Sequence, residues 1–377
     1  MKTFLHATAA AALIVAGLPA SAATATATRA WQFKPESVAG LEVRNLIGDI
    51  RVERGTEPGF NVTARVSVEA ESQAEADRLI KLIDFRTRDT GAGSRFYVVL
   101  PKKHFPKLYH EQGSGVWWGW MYVEYLGERI RLTRDHDEAP AVRVDLVIRA
   151  PAGAKLDVDN VFGDQVAQGY SGELRLDGGS GALRSTGGDG RLDLDSGSGP
   201  VEVRGHHGRV NADTGSGEVT IVDCECEILA DTGSGAVAIR GGSGRLYADT
   251  GSGSVTIEDF HGRIGADTGS GSVHAQGIAN VDELDVDTGS GSVTAEGDLS
   301  ALRRLRVDTG SGSVRLRSSA APSIEIRVDT GSGHVDIDAP GASVHRSEDD
   351  VWTVRAGAGA GSGIIDTGSG SVTLILP

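Results

Sequence analysis

The sequence has little cysteine, and its charge is mostly of one sign. Its two cysteines are Cys224 and Cys226. A disulfide across a single residue would be strained and a zinc site needs more ligands, so we interpret both as small turn residues. Acidic residues number 52 against 37 basic ones, which gives a net charge of −15. This excess argues against nucleic acid or an anionic membrane surface as a partner.

Long hydrophobic runs are also lacking, and the one sustained apolar stretch lies at the N-terminus. Lys2 precedes an apolar run through Ala9–Leu18 and then Ala20-Ser21-Ala22, the small-residue pattern of a cleavage site. The run is too short to span a bilayer, and no cysteine follows the cleavage site to carry a lipid. We predict that residues 1–22 are a secretory signal, and that the protein is exported to the periplasm or cell surface without a transmembrane segment.

A glycine-rich repeat organises most of the remaining chain. The motif Asp-[Thr/Ser]-Gly-Ser-Gly starts at Asp195, Asp213, Asp231, Asp249, Asp267, Asp287, Asp308, Asp329 and Asp366, with a relaxed copy at Asp177. Successive starting positions, counted from Asp177, differ by 18 five times and then by 20, 21, 21 and 37. Self-similarity at a period of this size indicates a solenoid.

Each repeat has the pattern of two strands joined by a tight turn. In residues 245–262, Leu246 and Ala248 precede the motif and Val255 and Ile257 follow it. This alternation predicts strands with one buried face, and the glycines between them permit a turn. One repeat buries too little to order itself, so the coils must stack. We predict an all-β fold, a single-stranded parallel β-solenoid (β-helix) of about 10 coils, right-handed by the general preference of crossovers.

The repeated aspartates allow two interpretations. Each carboxylate can accept backbone N–H bonds from its own Thr-Gly-Ser turn, as in an Asx-turn. Alternatively the stacked acids collect cations such as calcium, although no second carboxylate lies at the offset of the known calcium-binding nonapeptide coil. We favour the structural interpretation and expect no cofactor.

The region before the repeats is less regular. We predict a linker at residues 23–40, an N-terminal β region at 41–150 with a short helix at about 72–84 and an aromatic insert at 104–138, and the solenoid at 151–377. The insert contains Trp117, Trp118, Trp120 and Tyr122. These aromatics are either part of a cap over the open end of the solenoid or an exposed platform for sugar rings or a protein partner.

No motif indicates an active site. Asp-Thr-Gly-Ser also marks aspartic proteases, but that chemistry needs two converging carboxylates, and about ten stacked copies do not supply them. An acidic solenoid offers pairs of acids, so a carbohydrate-active enzyme remains an alternative. His206-His207 and the run at 135–137 lack a third metal ligand in sequence, and we interpret both as solvated turns.

The residues resemble a known family, the exported bacterial adhesin-like proteins of the DUF4097 type. The resemblance rests on Leu41–Val52 with its Asn45/Gly48 turn, the helix after Ser72, Val144–Pro151 and the repeated Asp-Thr-Gly-Ser-Gly-Ser-Val coils. It covers about residues 40–377 and implies a single-stranded β-helix in or outside the envelope. We expect a non-enzymatic adhesin or binding scaffold for a glycan or envelope protein. The alternatives are a carbohydrate-active enzyme and a self-associating structural protein.

Overall fold

A computed structural model describes residues 23–34, 40–90, 93–110, 120–133, 139–347 and 351–377. Nearly all elements are strands, so the all-β prediction is confirmed. The chain divides into two compact units, residues 1–181 and 182–377. The predicted signal sequence lies outside the described residues. Among the residues that are described, no helix is long and apolar enough to cross a bilayer.

The first unit contains most of the irregular elements. Its elements are β1 (Ala23–Phe33), β2 (Gly40–Ile47), β3 (Ile50–Arg54), β4 (Phe60–Ala70), α1 (Gln73–Leu79) with a 3-10 turn (Ile80–Leu82), β5 (Asp84–Asp89), β6 (Ser94–Val99), β7 (Lys107–Tyr109), β8 (Trp120–Tyr125), β9 (Glu128–Thr133), β10 (Ala141–Ala150), β11 (Lys155–Phe162), β12 (Gln165–Gln168) and β13 (Ser171–Gly178). The predicted helix at about 72–84 is present but ends earlier. Ser72 caps it by accepting a hydrogen bond from the Glu75 amide.

Residues 23–33 are not the linker that the sequence suggested. They form β1, which pairs antiparallel with β4 from Ala23 opposite Ala70 to Phe33 opposite Phe60. The alternating Ala-Thr composition suits a strand, because threonine favours extended backbone. Its pairing partner lies about forty residues away in sequence, so a local pattern could not reveal it.

Two asparagines join successive coils of the first unit. β2 and β11 run parallel with Asn45 opposite Asn160, which confirms that the two Asn-containing turns correspond. Both side chains are fully buried. The Asn45 amide donates to the Val144 carbonyl and the Asn160 amide to the Gly48 carbonyl, each at 2.9 Å. Each asparagine therefore satisfies a carbonyl that the turn leaves unpaired.

The second unit consists almost entirely of repeat strands. They are β14 (Leu183–Thr186), β15 (Asp189–Ser196), β16 (Val201–Arg204), β17 (His207–Thr214), β18 (Val219–Thr232), β19 (Val237–Thr250), β20 (Val255–Glu258), β21 (His261–Thr268), β22 (Val273–Thr288), β23 (Val293–Asp298), β24 (Arg304–Thr309), β25 (Val314–Ser318), β26 (Ile324–Thr330), β27 (Val335–Asp338), β28 (Ser343–Arg346), β29 (Trp352–Ala356), β30 (Gly361–Thr367) and β31 (Val372–Ile375).

These strands stack in parallel and in register, as the solenoid prediction requires. In β18, β19 and β21, for example, Asp231 lies opposite Asp249 and Asp249 opposite Asp267. The aliphatic positions chosen from the sequence, such as Leu246 and Val255, are at most 1% exposed. The interior of the unit is therefore a set of continuous aliphatic columns. The right-handed coil remains a prediction.

Threonine, not aspartate, holds the Gly-Ser-Gly turns together. The Thr250 hydroxyl accepts a hydrogen bond from the Gly253 amide at 3.0 Å and donates one to the Gly235 carbonyl of the preceding coil at 2.9 Å. In the described structure the side chains of Asp231 and Asp249 accept no hydrogen bond. The expectation that each aspartate caps its own turn is therefore wrong. The buried hydroxyl occupies the position from which both backbone groups can be reached.

The second corner of the eighteen-residue coils uses residues with positive φ. In the described part of the chain, seven positions spaced by eighteen residues adopt it: Gly169 (φ 60), Gly187 (66), Gly205 (62), Asp223 (52), Gly241 (67), Asp259 (53) and Gly277 (67). Glycine reaches this conformation without a Cβ clash and aspartate tolerates it better than most residues. In β18, β19 and β22 the strand runs through this corner without a break.

The cysteines belong to the interior of this corner. Cys224 and Cys226 lie on β18, both are at most 5% exposed, and they form a disulfide. Their interpretation as incidental turn residues is therefore wrong. Because the strand continues through the corner, side chains two residues apart point to the same buried face and the sulfurs can meet.

The last coil of the chain does not end the stack. β30 pairs in parallel with β24 on one side and with β26 on the other, so residues 361–367 lie between two coils that precede them in sequence. β31 is inserted in the same way between β25 and β27. The antiparallel strand β29 covers the other side of β26. The terminal proline therefore follows an interior strand of the ladder and does not mark its edge.

Candidate functional site

The aspartates of the repeats form a continuous acidic column, here called the Asp ladder. It comprises Asp195, Asp213, Asp231, Asp249, Asp267, Asp287, Asp308, Asp366 and Asp329, each opposite the next. Neighbours in a parallel ladder are ~4.8 Å apart. Partial burial, and then the charge of neighbouring aspartates, raise the pKa of Asp213, Asp249 and Asp267. Around Asp231 and Asp249 the ladder is thus a line of like charges, whereas further along the stack Arg306 lies 3.4 Å from Asp308.

An exposed aromatic side chain lies beside this ladder. The outward positions two residues before the aspartates include Leu229, Tyr247 and Gly265, which are opposite one another on β18, β19 and β21. Leu229 is 44% exposed and Tyr247 42% exposed, so this patch is apolar and open to solvent. A Cβ on Gly265 would lie 2.9 Å from Cδ2 of Tyr247, so the ring rests against the glycine of the next coil. The missing side chain leaves room for the ring.

Charged groups border the patch on both sides. The pKa of Tyr247 is raised by burial and then by the charges of Asp249, Asp267 and Asp231 on the same outward face. On the other side, Arg245 is exposed and forms no ion pair within the described part of the chain. Its neighbour Arg263 is paired with Asp282 at 3.3 Å. An apolar ring with hydrogen-bonding groups of both kinds around it is therefore accessible from solvent.

This arrangement fits a sugar ring better than it fits a chemical reaction. The face of a pyranose packs on an aromatic side chain, and its hydroxyls both donate and accept hydrogen bonds. The carboxylates of Asp249 and Asp267 can accept, and the Arg245 guanidinium can donate. We call Leu229, Tyr247, Gly265, Arg245 and the adjoining part of the Asp ladder the Tyr247 patch.

The aromatic residues singled out from the sequence lie elsewhere. Trp117 and Trp118 are outside the described residues, and for Trp120 the structure describes the backbone of β8 but not the side chain. Tyr122 is 48% exposed, with the Arg129 guanidinium 4.8 Å from the centre of its ring. One face of Tyr122 is therefore occupied. Whether the insert is a cap or a platform stays a prediction.

Metal ligands do not converge in the described structure. Among the described residues no group of three or more His, Cys, Asp or Glu side chains is placed to hold an ion. His206, expected in a solvated turn, is 3% exposed with Nε2 3.2 Å from the Gly190 carbonyl oxygen, and burial lowers its pKa. His207 is exposed, with Nδ1 3.4 Å from Glu225. The run at 135–137 lies outside the described residues.

Tyr247 does not stand out in the sequence, because the repeat pattern is carried by the buried positions. Aligning the outward positions of the repeats gives Asn211, Leu229, Tyr247, Gly265 and Asp285 two residues before successive aspartates. Two large apolar residues at positions that face solvent are the signal that was available. The clearance over Gly265 depends on the register between coils and is visible only in the structure.

The fold and its surface thus define a parallel β-solenoid with an exposed, regularly spaced face. Residues 240–377 match the family model described as Toastrack DUF4097. The resemblance inferred from the repeats is confirmed over that part of the chain. A comparison with curated proteins finds no match.

Three solved structures are similar over most of their length. One is a putative cell adhesion protein from Clostridium sporogenes, 10% identical, covering 92% of this chain and 97% of that one, with a TM-score of 0.17. A putative lipid binding protein from Parabacteroides distasonis is 12% identical, covers 92% and 96%, and has a TM-score of 0.34. A putative adhesin from the same species is 13% identical, covers 92% and 96%, and has a TM-score of 0.29. None of these names is that of an enzyme, and the low TM-scores carry no argument about function.

Proposed function

We propose that this protein is an exported, non-enzymatic binding protein whose solenoid presents the Tyr247 patch to a glycan of the cell envelope or surface. The observation that carries this proposal is the position of the Tyr247 ring. It is exposed to solvent, rests against Gly265, and lies between carboxylates and an unpaired arginine. Together with the exposed Leu229 opposite it, the ring forms an apolar patch that no side chain of the next coil covers, and such patches mark interaction sites.

The charge of the patch selects the kind of sugar. The Asp ladder runs past Tyr247, and the whole chain carries a net charge of −15. An acidic polysaccharide would be repelled along the whole ladder, whereas a neutral or amino-bearing sugar would not. The ammonium group of an amino sugar would be attracted by the carboxylates and by the face of the tyrosine ring. Chitosan oligosaccharides are therefore the best probe, and cello-oligosaccharides are the neutral comparison.

The regular spacing of the solenoid supports a polymer as ligand. The outward positions recur every ~4.8 Å along the stack. Ile364, which is 53% exposed, occupies the same column on β30, four ladder steps from Tyr247. Between Gly265 and Ile364 the column carries Asp285 and Arg306, so a chain of sugar rings laid along it would meet both polar and apolar groups. This geometry favours multivalent, weak contacts over one deep pocket.

Binding can be tested with variants that change only the patch. Tyr247→Ala removes a ring that is 42% exposed before binding, and covering that fraction contributes about 1 kcal/mol. The affinity for chitosan oligosaccharides should therefore fall roughly three- to ten-fold in titration calorimetry. Tyr247→Phe keeps the ring and should bind nearly as well as the wild type. Val344→Ala, at a 44% exposed position on β28 outside this column, is the matched control for loss of an exposed apolar side chain. Equal affinities for Tyr247→Ala and Val344→Ala would refute the proposed site.

The same samples distinguish the proposed function from an enzyme. A binding protein leaves the number of reducing ends unchanged during prolonged incubation with chitosan or cello-oligosaccharides, while a glycosidase raises it.

Export is tested by fractionation of cells that express the full chain, and by the N-terminal sequence of the product. The predicted signal gives a mature chain that starts at Ala23.

A further inference from the structure

A second candidate site lies in the first unit, far from the glycine-rich repeats in sequence. The hairpin β5–β6, the segment after β6 and the tip of the β8–β9 hairpin line an open cavity of about 630 Å³. Arg86 lies opposite Tyr97 and Asp84 opposite Val99, so the side chains of Arg86, Tyr97 and Val99 project from the same face of the hairpin. The volume lies within the ~300–1,000 Å³ typical of small-molecule sites.

Cations dominate the charged lining of this cavity. Arg86, Arg88, Lys102 and Lys103 contribute to it, with Glu128 as the acidic residue. Two of the cations are compensated, since Arg86 is 3.3 Å from Asp84 and Lys102 is 3.9 Å from Glu128. In the described structure Arg88 and Lys103 form no ion pair. A chain with a net charge of −15 therefore concentrates uncompensated positive charge at one cavity.

The remaining lining is apolar. Val99, Leu100, Pro101 and Tyr97 form one part of it, and Leu126 reaches it from the hairpin tip. Leu126 is 39% exposed, so part of its side chain is open to the cavity. The cavity therefore combines a cationic part with a hydrocarbon-like part.

Leu126 occupies a strained position. It and Gly127 form the two-residue loop between β8 and β9, with φ values of 50° and 78°. This turn favours Asn-Gly, because asparagine adopts positive φ more easily than a branched aliphatic residue. A leucine there costs backbone stability, and 39% of its side chain still faces solvent. Strained residues of this kind are concentrated at ligand-binding positions.

We propose that this cavity binds an anionic amphiphile, a molecule with one hydrocarbon chain and a carboxylate or phosphate head. The head group would pair with Arg88 and Lys103, and the chain would pack on Leu126, Val99 and Pro101. A free inorganic anion would leave the apolar part uncovered, and an uncharged lipid would leave the two cations uncompensated. The proposal concerns residues 86–128 and is independent of the Tyr247 patch.

Binding can be measured on the full chain with 11-(dansylamino)undecanoic acid, whose fluorescence rises in an apolar site. We expect dodecanoate and dodecyl phosphate to displace the probe. Dodecanol and inorganic phosphate should each displace it at least ten-fold less effectively. Vesicles of phosphatidylglycerol test a bilayer surface as the source of the same chemistry. Displacement by inorganic phosphate as effective as by dodecanoate, or binding seen with vesicles alone, would overturn the proposal.

Variants separate the two halves of the cavity. Arg88→Glu combined with Lys103→Glu should weaken probe binding at least ten-fold. Arg315→Glu combined with Arg317→Glu makes the same change in net charge on exposed positions of β25 and should leave binding unchanged. Leu126→Asn should weaken binding several-fold without lowering the melting temperature, because asparagine suits the turn. Equal binding by the two charge variants, or unchanged binding by Leu126→Asn, would show that the cavity is not the site.

Discussion

The hydroxyl of Thr250 provides the sharpest test of how the coils are held together. It is fully buried, accepts a hydrogen bond from the Gly253 amide and donates one to the Gly235 carbonyl of the preceding coil. Thr250→Val keeps the shape of the side chain and removes both bonds. The amide and the carbonyl would then remain in an interior that supplies no other partner.

The expected cost follows from those two groups. An unsatisfied buried donor or acceptor costs about 1–3 kcal/mol, so two of them predict a loss of about 2–6 kcal/mol in the free energy of unfolding. Thr250→Ser is the matched control, because it keeps the hydroxyl and loses one methyl group, worth about 1 kcal/mol. The chain already uses this substitution in β15, where the Ser196 hydroxyl accepts from the Gly199 amide at 2.9 Å.

Urea denaturation followed by circular dichroism measures both variants against the wild type. We expect the urea concentration at the unfolding midpoint to fall for both variants. The decrease for Thr250→Val should be more than twice the decrease for Thr250→Ser. Amide hydrogen exchange should also accelerate at Gly253 in the valine variant and remain slow in the serine variant. If valine were tolerated as well as serine, the hydroxyl would not hold the coils together. The recurrence of Thr or Ser at this position of the motif would then need another explanation.

Three further predictions concern the same unit. Burial and the Asp231 charge raise the pKa of Asp249, so the folded state loses stability as pH rises above the ordinary aspartate value of 3.8. Asp249→Asn should therefore raise the melting temperature at neutral pH and lose this advantage below that value; a constant difference would contradict it. Gly253→Ala should prevent stable folding, because its Cβ would overlap the Gly235 carbonyl oxygen, and soluble folded protein would disprove this. Truncation after Ala360 removes β30 and β31 and opens the ladder between β24 and β26; light scattering should detect oligomers, and an unchanged monomer would argue against the insertion.

The periodic part of the fold could be predicted because it depends on local sequence. Leu246, Ala248, Val255 and Ile257 alternate around a turn that needs glycine, and the pattern repeats at nearly constant length. A repeat that cannot bury its apolar face alone must stack on its copies. This pattern predicts the β-solenoid fold class, the buried aliphatic columns and the register of the aspartates without coordinates.

The chemistry of the turn could not be predicted in the same way. Aspartate and threonine are adjacent in every motif, and both side chains can bond to nearby amides. The structure places Thr250 inside the coil and Asp249 at its surface, and this alternation decides which one makes the bonds. Local sequence therefore favours the aspartate wrongly, and it gives no signal for the pairing of β1 with β4, whose partner is distant in sequence.

The sequence alone therefore determined the repeating unit, because the alternation of a strand and the glycines of a turn each depend on residues a few positions apart. Only the tertiary structure decided where the last coil goes. Residues 366–370 carry the same motif as their neighbours, and an identical motif can pair with any coil in the stack. Long-range packing placed it between β24 and β26. The Tyr247 patch has the same origin, since its open ring face depends on which glycine the neighbouring coil brings beside it.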